Sequence, residues 1–443
     1  MNAVNPTVEY IKEEPLKGIQ IMAIGLCALI NIFEGFDALA IAYTAPSIAG
    51  EMNLKPSILG IVFSIGYLGM AIGAFTLGSL SDHIGRRKII VASLITTTIF
   101  MGLTATASGV GMLMFYRFIT GLAIGAMLAS ITAIAAEYSP DSRRNFLVAF
   151  VQATYGVGAV LGGILAAIIL KDYGLSWRYV FGIGAILNFA ILIPVFFLLP
   201  ESLAFLLKKQ PSGSLPAANK IIKKLDGDTL DNWPSAPESH SKSVIDIKSL
   251  LSKDLKKWTY LLWTAIFSAL FGMYFILSWV PKIVFDAGLP LDKAIYVGIS
   301  INAGGFFGSL WLGHRSATKG LRPMISLFFF LSGVLMIIFG MLSFNAYILM
   351  SVAATLGFFA LGGFMGLYST AVRLYPTEIR ATGIGWAIGL GRIGAIAGPF
   401  VGGLLISIGL GQAFLFGVLS IPFFIAAAAI WAMRAPQLLP VKS

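Results

Sequence analysis

Residues 78–88 read GSLSDHIGRRK, and 235 positions later residues 313–323 read GHRSATKGLRP. Each is a short polar turn between two long apolar runs. Gly78, Gly85 and Arg87 recur as Gly313, Gly320 and Arg322, while Asp82 is replaced by Ala317. A second pair is EYSPDSRRN at 137–145 and LYPTEIRAT at 374–382, in which Pro140 falls on Pro376 and Arg144 on Arg380 at a shift of 236. Gly158 and Gly162 fall on Gly394 and Gly398 in the same frame. Single glycine matches are cheap in a chain with 49 glycines, but ordered matches in one frame mark a duplication.

Outward from these turns, the chain is 57% hydrophobic and only 12% charged, where a soluble domain carries about a quarter charged residues. Apolar runs of about 20 residues, long enough to cross a bilayer, fall near 19–49, 57–80, 88–107, 110–137, 146–170, 178–199, 258–281, 292–313, 323–344, 346–373, 382–408 and 411–433. The expectation is an all-α integral membrane protein with 12 transmembrane helices in two pseudo-symmetric six-helix bundles. Residues 1–202 form the first bundle, 203–257 a middle loop and 258–443 the second bundle. The first run is too long for a signal peptide, and Glu34 and Asp37 interrupt it. Cys27 is the single cysteine, so no intrachain disulfide forms.

The net charge of +11 would suit a nucleic-acid binder, but its distribution argues against that. When the loops are assigned alternately to two sides, 24 Lys and Arg residues fall on one side and 5 on the other, with Arg117 and Arg392 left inside the spans. Basic loops stay in the cytoplasm. Both termini and the middle loop are therefore expected there, in a bacterial-type inner membrane. Within the middle loop, Val244, Ile247, Leu250, Leu251 and Leu255 recur at helical spacing among lysines. That pattern fits an amphipathic surface helix, or a solvated linker with a stub of helix.

The segment Gly78–Lys88 resembles the signature loop of the major facilitator superfamily. Arg117-Phe118 with Gly121 and Gly125 resembles its span-4 motif, and Pro200-Glu201-Ser202 closes the sixth span in a familiar way. The first span, NIFEGFDALAIAYTAPSI at 31–48, resembles the acid-Gly-x-Asp motif of the aromatic acid/H+ symporter family, as do EYSPDSRR and GLGRIGAIAGP. That family usually has Asp where this chain has Glu34, which bears on substrate choice. The resemblance implies alternating-access symport of protons with an aromatic carboxylate such as a benzoate or hydroxybenzoate, by a monomer in the lipid bilayer. It needs no cofactor or metal and has no catalytic residues. It also implies a cytoplasmic lock of Gly78, Asp82, Gly85, Arg86, Arg87 and Arg144, in which Asp82 meets the start of span 11.

The residues point the same way by elimination. An ionisable group in hydrocarbon costs at least about 2.5 kcal/mol, so it survives by pairing or by serving a watery path. Glu34, Asp37, Arg117 and Arg392 are the deep charges. Glu34 and Asp37 are three apart and share a helix face. Between burial, a like charge and a nearby cation, such a carboxyl can load and release a proton, and the titration belongs to the pair. The alternative is a fixed Asp37–Arg117 clip between helices. Arg392 offers a planar fork for a carboxylate, or else pairs with Glu34. Phe271, Tyr274, Phe275, Phe306 and Phe307 are candidate ring contacts. Tyr155, Gln152 and Asn302 are candidates for a ring hydroxyl, and Trp279 reads as an interface anchor. The rivals are a symporter of another organic acid or neutral metabolite, and a drug/H+ antiporter. Antiporters usually show Gly-Pro in span 5, where Gly162 here precedes Gly163. No metal cluster, phosphate loop or nucleophile–base pair suggests an enzyme.

Overall fold

In hydrocarbon every backbone donor and acceptor must be satisfied within its own segment, so long apolar runs become helices. The computed structural model describes residues 11, 15–233, 247–342, 345–376 and 379–434. Among them are 12 helices long and apolar enough to cross a membrane, and no strands. They are α1 Gly18–Glu51, α2 Pro56–Ile84, α3 Arg86–Ala105, α4 Val110–Glu137, α5 Arg144–Ala167 and α6 Arg178–Leu198, then α7 Lys256–Asp286, α8 Leu291–Lys319, α9 Leu321–Met341, α10 Ala346–Leu374, α11 Arg380–Ser407 and α12 Gln412–Ala432. Each expected run is one of these helices. Several outrun the apolar stretch: α8 continues to Lys319 and α2 to Ile84. Hydropathy reports only the part inside the hydrocarbon, while the helix persists into the wet interface.

By packing, the chain groups into two units. One holds Met1–Asp37, Gly69–Gly158 and Phe181–Lys242; the other holds Ala38–Leu68, Ala159–Val180 and Ser243–Ser443. The sequence boundaries at 202 and 257 divide the chain by linker, whereas these units divide it by contact and cut through α1, α2, α5 and α6.

The first unit shows how the helices approach. A Cβ on Gly158 of α5 would collide with the carbonyl of Ile32 on α1. In the second unit a Cβ on Gly394 of α11 would collide with the carbonyl of Phe267 on α7. These are repeat partners in the sequence, and they do the same job: each removes a side chain so that two backbones can pack closely. The duplication is thus visible in the packing as well as in the letters.

Of the two readings of the middle loop near 244–255, the stub of helix is the one present: among the described residues from 247 to 255 the helix is Ile247–Leu250, and Val244 lies outside the described residues. The amphipathic helix is Leu215–Lys224 instead, burying Ala218, Ile221 and Ile222. Together with the capped helix Leu203–Lys209 it joins an apolar core that includes Ile90, Leu94, Ile191 and Val195 of the first unit. Its apolar face is covered by protein, so it is a packed part of the fold.

Candidate functional site

Two charged centres stand out, one in each unit. In the first, Arg117 of α4 donates from Nη1 to Asp37 Oδ1 at 2.7 Å and from Nη2 to the Asp37 backbone carbonyl at 3.1 Å. The Phe181 ring lies 5.7 Å from the guanidinium carbon. Asp37 and Arg117 are both buried, at 1% and 4% exposure. Asp37 Oδ2 and both carboxylate oxygens of Glu34 are buried with no hydrogen-bond partner among the described residues. Gly35 stands between the two acids because a Cβ there would strike the Tyr155 carbonyl of α5. The Glu-Gly-x-Asp spacing therefore sets Asp37 on Arg117 of α4, while the backbone between the two acids lies close against that of α5.

The second centre is Arg392, partly buried near the middle of α11. Among the described residues its guanidinium has neither a hydrogen bond nor an ion pair. It lies within electrostatic reach of the Tyr274 and Tyr368 hydroxyls, which likewise have no hydrogen-bond partner among the described residues. One turn away, a small crevice of about 10 Å³ lies between α7, α10 and α11, walled by Ile266, Leu270, Phe364, Tyr368, Ile384 and Ile388. Arg392 follows Ile388 by one turn and Tyr274 follows Leu270 by one turn, so each continues a face that lines the crevice. The contacts of Gly394 with Phe267 and Gly398 with Phe271 show α7 and α11 running parallel, which brings both polar groups to the same end.

Other expected contacts resolve differently. Asn302 is buried, donating to the Tyr43 hydroxyl at 3.4 Å and the Gly298 carbonyl at 3.2 Å. Gln152 donates to Thr132 Oγ1 at 2.6 Å, and the Tyr155 carbonyl meets Gly35. Phe271 lies against Phe267, and Phe306 lies edge-on to Phe307; neither lines the crevice. Phe275 is buried against Phe416. Trp279, expected as an interface anchor, is a correction: it is 1% exposed, donates to the Pro399 carbonyl at 2.9 Å and meets the edge of Phe63. A tryptophan near a helix end reads as an anchor until packing shows a neighbour covering it.

The end of the second unit that carries few basic residues is closed. Tyr43 donates to the Ala159 carbonyl at 3.0 Å, Ser64 to the Ile396 carbonyl at 2.8 Å, and Lys171 to Asp292 at 2.9 Å. Tyr67 and Ser278 share a hydrogen bond at 3.3 Å.

Comparison with known proteins meets this geometry. A family model described as Major Facilitator Superfamily matches residues 27–372. The chain belongs to the major facilitator superfamily. The gallate transporter of Pseudomonas putida is 32% identical, over 96% of this chain and 94% of that protein. The 4-hydroxybenzoate transporter PcaK of the same organism is 30% identical, over 90% of this chain and 89% of its own length. The benzoate transport protein of Acinetobacter baylyi is 27% identical, over 96% of this chain and 91% of its own length. Family and relatives alike are transporters and not enzymes.

In this superfamily member the signature loop is built around Arg86. It pairs with Glu137 at the end of α4 and with Asp82 at 3.1 Å, and donates to Ser202 Oγ at 2.9 Å. Glu201 accepts from the backbone N–H of Arg87 at 3.0 Å and of Ser202 at 2.9 Å. Tyr138 donates to the Glu201 carbonyl at 2.6 Å, and burial pushes its hydroxyl pKa up. Gly85 has φ +110, a backbone that side chains rarely adopt, with Glu201 packed against it. Gly78 packs on Ala129 of α4, and Arg87 donates to the Phe196 carbonyl. Arg144, expected in the same cluster, pairs with Asp141 and donates to the Ala136 carbonyl at 3.0 Å. Asp82 remains largely exposed, and the side chain of Ala317 lies outside the described residues. Glu137 is the group that sequence reading missed, because an acid at a helix end looks like any solvated charge.

Proposed function

We propose that this chain is a proton-coupled importer of an aromatic carboxylate, of the benzoate or hydroxybenzoate kind, working by alternating access. It takes up a small organic anion with protons and needs no cofactor, since the proton gradient supplies the drive. It works as a monomer in a bacterial-type inner membrane with both termini in the cytoplasm.

The observation that carries this reading is the contrast between the two arginines. Arg117 is committed to Asp37, whereas Arg392 presents a fork with no partner beside an apolar crevice. A cation kept at membrane depth without a protein counter-ion fits a site whose counter-ion is the substrate. The gallate, 4-hydroxybenzoate and benzoate transporters named above share a carboxylate on a single ring as cargo, and a guanidinium fork matches that carboxylate. Asp37 and Glu34, the deep carboxylates of α1, supply the coupling proton, with Arg117 setting when Asp37 gives it up. Uptake of benzoate-type acids into proteoliposomes, with and without an inward proton gradient, tests this. Accumulation that needs the gradient and stops with a protonophore is expected; gradient-independent uptake contradicts proton coupling.

A further inference from the structure

The face of α1 that carries the two acids is short of hydrogen-bond donors. Asn31, Glu34 and Asp37 follow one another at intervals of three, so they stack along one side of the helix. They are 0%, 3% and 1% exposed. Asn31 Oδ1, both Glu34 carboxylate oxygens and Asp37 Oδ2 are buried acceptors, and none has a hydrogen-bond partner among the described residues. Arg117 is the donor that α4 supplies, and it is spent on Asp37 Oδ1 and the Asp37 backbone carbonyl. Buried acceptors without donors cost free energy. A proton on a carboxylate turns one such acceptor into a donor.

The orientation of Asn31 singles it out. Its Nδ2 faces α5, donating to the Val151 carbonyl at 2.6 Å, with the Gln152 carbonyl at 3.3 Å and Thr154 Oγ1 at 3.4 Å. Those acceptors fix which end of the amide is nitrogen, so Oδ1 points away from them. A clip between α1 and α5 needs only the nitrogen. Side chains on a helix lean toward its N-terminus, so Glu34 leans over the turn that carries Asn31.

We infer that Asn31 is a positioning residue for the coupling proton: when Glu34 is protonated, its hydroxyl donates to Asn31 Oδ1. This rests on the proton-coupling reading above. The proton stays on Glu34, and Asn31 accepts only the hydrogen bond. The two acids thereby divide the work, Asp37 being held by a cation and Glu34 by an amide. Asn31 lies toward the start of α1, the end at which an importer with cytoplasmic termini releases its proton. The charged groups around Glu34 are Asp37 on its own helix and Arg117 on α4, where Tyr116 turns to Phe100 and Phe115. The stretch 146–167 of α5 holds one titratable side chain, Tyr155, while 89–105 of α3 and 181–198 of α6 hold none.

The test is infrared difference spectroscopy of the purified full chain in lipid, taken through a pH titration. A protonated carboxyl has a C=O band that lies lower when the group is hydrogen-bonded, and the band that Glu34→Gln removes belongs to Glu34. In the unsubstituted chain that band is expected at the hydrogen-bonded position. In Asn31→Leu it is expected to rise to the free position. It should also vanish there at a pH about 0.5–1 unit lower, because the protonated form has lost a bond. Thr154→Val takes one α5 partner from Asn31 Nδ2 and spares Oδ1, so band and midpoint are expected to stay. A band unmoved in Asn31→Leu overturns the inference while leaving proton coupling standing, as does an equal change in Thr154→Val. If Glu34→Gln removes no band, Glu34 does not titrate and coupling through it falls as well. If Asn31→Leu does not fold, the unsubstituted chain decides: the hydrogen-bonded position supports the role of Asn31, and the free position removes it.

Discussion

Arg117 holds Asp37 at two points, the carboxylate at 2.7 Å and the backbone carbonyl at 3.1 Å. The second bond does not depend on the charge of Asp37, so α4 stays tied to α1 when the carboxyl is protonated. Asp37→Asn keeps an acceptor for Arg117 and cannot carry a proton. The variant is expected to fold, to exchange labelled acid across the membrane, and to lose accumulation driven by a pH gradient. Full pH-driven accumulation would show that coupling runs elsewhere.

Gly35 separates the two acids at a close approach of α1 to α5. In Gly35→Ala the new methyl meets the Tyr155 carbonyl, and because that neighbour is backbone the helices must part. Overpacking of this kind costs about 1–3 kcal/mol, so a lower melting temperature in detergent is expected. Gly25→Ala is the control, since nothing lies within 4 Å of a Cβ there. Its expected effect is a small gain of about 0.8–1.0 kcal/mol from helix propensity. Equal melting temperatures for the two variants would contradict this packing.

The closed end of the second unit leans on a buried acid. Asp292 is 4% exposed and takes its hydrogen bond from Lys171, while Asn302 bonds the Tyr43 hydroxyl. Losing either contact loosens the seal. With Ser278→Cys as the single cysteine in a Cys27→Ser background, Asp292→Asn and Tyr43→Phe are each expected to raise labelling from the side opposite the basic loops. Unchanged labelling in both would mean that the seal is held by packing alone.

The twelve helices were legible because hydrocarbon leaves a backbone no other choice, and Glu34, Asp37, Arg117 and Arg392 because charge at that depth is rare. Tyr368, Tyr43 and Glu137 were not. Tyrosines are common in membrane helices, and whether one faces lipid, a seal or a crevice depends on which helix lies beside it. Trp279 and Asn302 misled for that same reason. Near 244–255 a surface helix and a stub of helix fit the letters equally, because apolar residues recur among lysines there as well as at 215–224; the structure has a four-residue stub in the first place and a ten-residue packed helix in the second. The repeat, by contrast, spoke truly, since Gly158 and Gly394 serve matching contacts.

Substrate recognition turns on whether the Arg392 fork holds the carboxylate. Calorimetric titration of 4-hydroxybenzoate into the purified protein, Arg392→Lys and Arg392→Ala measures this directly. Saturable binding is expected for the unsubstituted chain, weakened in Arg392→Lys, which keeps the charge but not the bidentate geometry. Arg392→Ala is expected to bind at least about tenfold more weakly still, or ~1.4 kcal/mol. An alanine variant that binds the acid with unchanged affinity would contradict the account.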